Sequence, residues 1–341
     1  MSNTADTKRA PHDSLYEAAA SGDLEAVKTI LDNGADINAV DSLGSSPLHA
    51  AAKEGHWDIA RLLVEKGMSP WTRDGNKSLP IHDAARGNHI ETGRLLLECD
   101  RATGSHSNKN GTTPLHFAVE SGNIELVQLL LSFNIVTTAS SYGGETALHL
   151  AAKNGQPEIC EILMKYDDAH KPGLFLRMLG ITVPVKMKDF CNHTPIVYAV
   201  EEGHVDVVDV FLRSKRVSPK ARNRYKDLLF HEAVQAGKCH VVQVFLHHGV
   251  PVNLRGRDGK RALHLAADTR NLEMARLLLE NGASTKIKDS IGNTPSERSR
   301  DAEVTMLIRN WADQAAALDP KGKKALPPPK AAVAAPPEYV A

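Results

Sequence analysis

Ser46-Pro47-Leu48-His49-Ala50-Ala51-Ala52 is the stretch from which the fold is worked out. A serine followed by proline and then an apolar and small-residue run starts a helix. The hydroxyl caps orphan N–H groups, and proline sits in the first turn, where a missing N–H costs nothing. The three alanines let a second helix approach closely. Gly55, six residues after His49, supplies a left-handed stop. A second, more apolar helix follows over Ile59-Ala60-Arg61-Leu62-Leu63-Val64, and Gly67 ends it.

The block recurs along the chain. It returns as Leu79-Pro80-Ile81-His82, Thr113-Pro114-Leu115-His116, Thr146-Ala147-Leu148-His149, Thr194-Pro195-Ile196-Val197, Leu228-Leu229-Phe230-His231, Arg261-Ala262-Leu263-His264 and Thr294-Pro295-Ser296-Glu297. A first copy lies at Asp13-Ser14-Leu15-Tyr16. Second positions fall at 14, 47, 80, 114, 147, 195, 229, 262 and 295, giving spacings of 33, 33, 34, 33, 48, 34, 33 and 33. Such self-similarity marks an array of small units, none of which buries its apolar face alone. The ends are polar variants: Tyr16-Glu17 replaces Leu-His, and Ser296-Glu297-Arg298-Ser299-Arg300-Asp301 makes the last first helix hydrophilic.

The pattern resembles the ankyrin repeat, whose motif is T-P-L-H-x-A-A-x-x-G followed by G-A-D-x-N. The resemblance runs over residues 13–311 in nine copies, between a disordered stretch at 1–12 and a Pro/Ala-rich disordered tail at 312–341. It implies an all-α solenoid of stacked helix pairs with β-hairpin fingers on one side. It also implies that the motif histidines, His49, His82, His116, His149, His231 and His264, bond backbone between neighbouring loops. They lie one repeat apart, too far to share a metal ion at the ~2 Å of an imidazole–zinc bond.

Departures from the pattern point to candidate surfaces. Asn88 and Arg270 stand where the first stop is glycine, and Asp100, Asn134, Asp167 and Lys215 where the second is. The long spacing leaves an apolar insertion at about 168–184 containing Phe175, read as a partner-docking finger or as a plug folded onto the solenoid. Trp71 falls at a finger and is either a binding hot spot or packed on Trp57 or the next finger. The later finger regions hold fifteen Lys and Arg against four Asp. If the fingers stack, these charges form a basic stripe, with Arg222, Arg224, Arg255 and Arg257 the candidate contacts for an acidic peptide or anionic lipid heads, or else a solvated surface balanced by acidic helices nearby. With Phe190 and Tyr225 the only aromatics nearby, nucleic acid is disfavoured. On the first-helix face, Glu232 and Gln235 are among residues of mixed character that name no partner.

The tail from Asp319 to Ala341 contains six Pro and six Ala among 23 residues, a composition for disorder or polyproline II. Within it Pro336-Pro337-Glu338-Tyr339 matches the PPxY ligand of WW domains, which implies recruitment of a WW-containing ubiquitin ligase.

Composition narrows the function classes. Lys plus Arg number 41 and so do Asp plus Glu, which excludes a whole-chain polyelectrolyte. The four cysteines are scattered without C-x-x-C spacing, so neither a zinc site nor a disulfide framework is expected, and the compartment is reducing. No run reaches the roughly 18 apolar residues of a membrane span. No nucleophile elbow, phosphate loop or kinase signature occurs. The expectation is a non-catalytic, monomeric adaptor without cofactor or metal, in the cytoplasm, with the nucleus as alternative. The rivals are a binding or inhibitory module with an inert tail, and a peripheral binder of lipid or an acidic partner.

Overall fold

The computed structural model describes residues 11–169, 184–225 and 227–318. The described residues fall into two compact units, divided between Pro195 and Ile196. The first unit is built of consecutive helix pairs: α1 (Pro11–Ser21) with α2 (Leu24–Asp32), α3 (Pro47–Glu54) with α4 (Trp57–Glu65), and α5 (Pro80–Arg86) with α6 (Ile90–Cys99). Then come α7 (Pro114–Glu120) with α8 (Ile124–Ser132) and α9 (Ala147–Lys153) with α10 (Pro157–Ala169). First helices pack on first helices and second on second, giving two layers. The second unit repeats the plan. It holds α11 (Pro195–Glu202) with α12 (Val205–Arg213), α13 (Leu229–Gln235) with α14 (Cys239–His247), α15 (Ala262–Asp268) with α16 (Leu272–Glu280), and α17 (Pro295–Arg298) with α18 (Ala302–Leu318).

Side-chain size accounts for the layering. Ala50, Ala51, Ala52, Ala84, Ala85, Ala151 and Ala152 are buried in the first-helix layer, where little else fits between neighbouring backbones. Branched residues fill the space against the second helices: Leu48, Ile59, Leu63, Leu126, Val127 and Leu130, and in the second unit Phe211, Phe230 and Phe245. Each such burial contributes about 1.5–3 kcal/mol, realised only when a neighbour covers it.

The fingers are tight turns. Among the described residues no strand forms; only isolated bridges occur, at Ser140–Thr146 and Arg222–Leu228. Successive fingers are instead joined tip to tip. Gly75 N donates to Leu43 O at 2.7 Å, Lys109 N to Asn76 O at 2.8 Å, and Phe190 N to Gly143 O at 3.0 Å. In the second unit Ser290 N donates to Asp258 O at 2.9 Å.

The stops follow the sequence reading in part. Asn88, Asn134, Lys215 and Arg270 all take left-handed backbone, with φ of 61°, 58°, 58° and 57°. Asp100 does not: its φ of −157° is extended, and its side chain caps a 3-10 turn at Arg101–Ser105. Asp167 lies inside α10, which runs through it to Ala169. The terminal helices reach beyond the repeat boundaries of 13 and 311, beginning at Pro11 and ending at Leu318.

Candidate partner-binding surface

The motif histidines occupy themselves with the stack. In α3 the backbone N–H of Ser46 lies 3.1 Å from His49 Nδ1, and the Ser46 hydroxyl lies 2.8 Å from the same nitrogen. An Nδ1 that accepts from an amide carries a lone pair, so the proton sits on Nε2. That N–H donates to Ser78 O at 3.1 Å, in the next finger. The same geometry recurs with His82 to His106 O, His116 to Glu145 O, His149 to His193 O and His264 to Asn293 O, at 3.0–3.1 Å. Burial holds all of these imidazoles below the ordinary histidine pKa, His82 down to about 4.

A second set of stitches was not foreseen from the sequence. His56 and His89, at the starts of α4 and α6, reach back to Ala20 O at 3.2 Å and Lys53 O at 2.9 Å. Each imidazole lies over the glycine that ends the preceding first helix. A Cβ on Gly22 would fall 2.6 Å from the His56 ring, and one on Gly55 would overlap the His89 ring. The recurring dipeptides Gly55-His56, Asn88-His89 and Gly203-His204 carried that signal.

Trp71 bridges to the following repeat. Its Nε1 donates to Asp100 Oδ2 at 3.0 Å, and its ring meets the His106 ring edge-on at 6.0 Å. The Ala102 amide and Trp71 together hold the Asp100 carboxyl below its usual range. Trp57 lies elsewhere, under the Arg61 guanidinium at 5.4 Å. Trp71 keeps 37% of its surface exposed, so the next repeat orients it and leaves part of it open.

In the second unit Arg222, Arg224, Arg255 and Arg257 are all exposed. They form two pairs in register, Arg222 with Arg255 and Arg224 with Arg257, each 33 residues apart. The Arg224 guanidinium lies over the Tyr225 ring at 4.7 Å, and Arg257 Nη1 lies 3.8 Å from Asp227. Behind them opens a polar cavity of about 420 Å³. Asp227, His231, Glu232, Gln235, Arg257, Asp258, Lys260 and Asp268 are among its walls. The sequence count of charges took only finger residues and missed Glu232 and Asp268, which come from the first helices. Lys260 and Arg298 both pair with Asp268, at 2.9 and 2.8 Å. The cationic stripe is therefore interleaved with carboxylates.

Phe175 and the body of the insertion lie outside the described residues, as do Pro336, Pro337 and Tyr339. Among the described residues no group of three or more His, Cys, Asp or Glu is placed to hold a metal ion. No helix there is long and apolar enough to cross a membrane. The buried Cys160 thiol is pushed up to about 12, far from a reactive thiolate.

The comparison with known families decides the classification. A three-copy model described as "Ankyrin repeats" matches residues 15–105, 100–173, 144–223 and 196–289. The chain belongs to the ankyrin-repeat family. Relatives include the putative ankyrin repeat protein FPV223 of Fowlpox virus, 32% identical over 110 residues, which are 32% of this chain and 75% of that protein. The B-cell lymphoma 3 protein homolog of Mus musculus is 28% identical over 136 residues, 40% of this chain and 30% of the relative. Diacylglycerol kinase iota of Rattus norvegicus is 40% identical over 77 residues, 22% of this ankyrin-repeat chain and 7% of the kinase. The chain thus spans three quarters of the viral relative and a small part of the other two.

Proposed function

We propose that this ankyrin-repeat chain is a non-catalytic adaptor. Its nine copies bind one protein through fingers and first-helix face, and its tail recruits a WW-domain ligase through Pro336, Pro337 and Tyr339. The observation that carries the binding half is the division of labour among polar groups. Buried imidazoles that would suggest catalysis hold neighbouring repeats together, while Trp71, Arg224, Arg255 and Arg257 stand exposed on the fingers. The match to the kinase covers 7% of that protein, so none of its catalysis is carried over. Linking two binding sites in one chain raises the effective concentration of each partner for the other.

The test of the tail is direct titration of the full chain with a purified WW domain, beside a Pro336→Ala/Tyr339→Ala variant. Binding that the variant loses supports the adaptor. Absence of binding by the intact chain reduces the protein to a plain recognition module with an inert tail.

The exposed in-register arginine pairs favour a second reading of the finger site, recognition of an acidic protein segment. Arg224→Glu with Arg257→Glu then weakens partner binding, and wild-type binding falls steeply with salt.

A further inference from the structure

His231 breaks the rule its counterparts obey. It is 5% exposed, yet its Nε2 has no hydrogen-bond partner. The ring packs into space that a Cβ on Gly256 would take, and its hydrogen-bonding neighbour is the Leu254 backbone. Gly256 stands in the finger slot where Asp41, Asp74, Asn108, Asp189 and Asp289 occur in other copies. The imidazole leaves its Nε2 unpaired and forms part of the wall of the 420 Å³ cavity.

The neighbouring carboxylate is also incomplete. Glu232 is half-buried and takes one hydrogen bond, from Asn223 Nδ2 at 3.1 Å. Burial raises its carboxyl above the ordinary glutamate range, and the Glu201 and Asp227 carboxylates push the same way. Its cationic neighbour Arg224 lies over Tyr225 instead. The same slot of an earlier copy shows what is missing. Asp83 follows His82 as Glu232 follows His231, and Arg86, three residues on, lies 3.5 Å from the Asp83 carboxylate and 4.5 Å from the Phe117 ring centroid. Three residues after Glu232 stands Gln235, which carries no charge.

We propose that the cavity between the Asn223–Asp227 finger and α15 receives an arginine side chain of a partner protein, whose guanidinium takes the place beside Glu232 that Arg86 takes beside Asp83. A guanidinium is flat and carries five donors, which suits a carboxylate that takes one hydrogen bond from its own chain. The volume suits one long side chain. This deepens the partner-binding reading above, but it is tested with a small probe, so its failure leaves partner binding by the fingers standing.

The experiment titrates the full chain with Nα-acetyl-arginine amide and follows the histidine ring protons by NMR, with the lysine and glutamate analogues as controls. The expected result is a saturable shift of the His231 signals with the arginine probe. It weakens roughly tenfold in Glu232→Gln, the effect of losing one charge-assisted hydrogen bond. It disappears in Gln235→Arg, where an internal guanidinium fills the place while the circular dichroism melt is kept. Equal response to the lysine or glutamate probe, no saturable shift, or undiminished binding by Gln235→Arg overturns the assignment.

Discussion

His82 Nε2 donates to the carbonyl oxygen of His106 at 3.0 Å, so an imidazole in one repeat fixes the backbone of the next. The other ring nitrogen accepts from the Leu79 amide at 3.0 Å, which requires a neutral ring. Folding therefore couples to pH. Burial lowers the His82 and His231 pKa values to about 4, against 6.5 for the unfolded chain. Between those values the unfolded state binds more protons, so stability is complete above about 6.5 and is lost as pH falls towards 4. Each ring accounts for roughly 3 kcal/mol across that window. Urea melts at pH 7, 6, 5 and 4 test this, and a flat midpoint over the series refutes it. His82→Phe shallows the slope while lowering stability at pH 7.

Arg270 sits at φ 57° in a slot that glycine fills in most copies. A left-handed backbone costs a side-chain-bearing residue about 1–2 kcal/mol, partly offset by the greater freedom glycine has when unfolded. Arg270→Gly is expected to stabilise the chain by about 0.5–1 kcal/mol. A melting temperature unchanged or lowered rules this out.

Two glycines separate backbone strain from crowding. Gly55 and Gly67 both have positive φ, 79° and 97°. A Cβ on Gly67 meets nothing within 4 Å, whereas one on Gly55 overlaps the His89 ring. Gly67→Ala is expected to cost about 1 kcal/mol. Gly55→Ala is expected to cost at least 1 kcal/mol more, because it also displaces the His89 bond to Lys53 O. Equal losses for the two variants contradict the stitch described for His89.

The alanine layer sets a size limit. Ala51 is fully buried in the first-helix layer, so Ala51→Leu forces helices apart and is expected to cost roughly 1–3 kcal/mol or more. Substituting the exposed Lys53 by Leu in the same helix is the control, expected within about 0.5 kcal/mol.

The repeat plan was legible because its determinants are local. A hydroxyl or proline at a helix start, alanine at a close approach and glycine at a stop each act within a few residues, and most recur at one spacing. What escaped depends on residues brought together by folding. Asp100 was read as a stop because it fills a glycine slot, but its carboxylate caps the turn that follows and accepts from Trp71. That acidic helices balance the finger cations is one of two readings the sequence allows, but that Glu232 and Asp268 are the carboxylates concerned was not legible, because they belong to different segments of sequence. His231 looked like its counterparts, and only the glycine at 256, 25 positions further on, marks it as different.

Among the described residues, the histidine stitches run in both directions, each to the adjoining repeat. A motif histidine supplies a donor forward, and a residue such as His56 or His89 supplies one backward. A repeat that keeps the histidine thus brings its own donor and uses a carbonyl of the repeat beside it. Duplicating a unit of 33 residues such as the one around His49 therefore creates a junction of a kind the chain already holds. Such a gene lengthens by copying, and selection for a new partner then acts on fingers whose support is already in place.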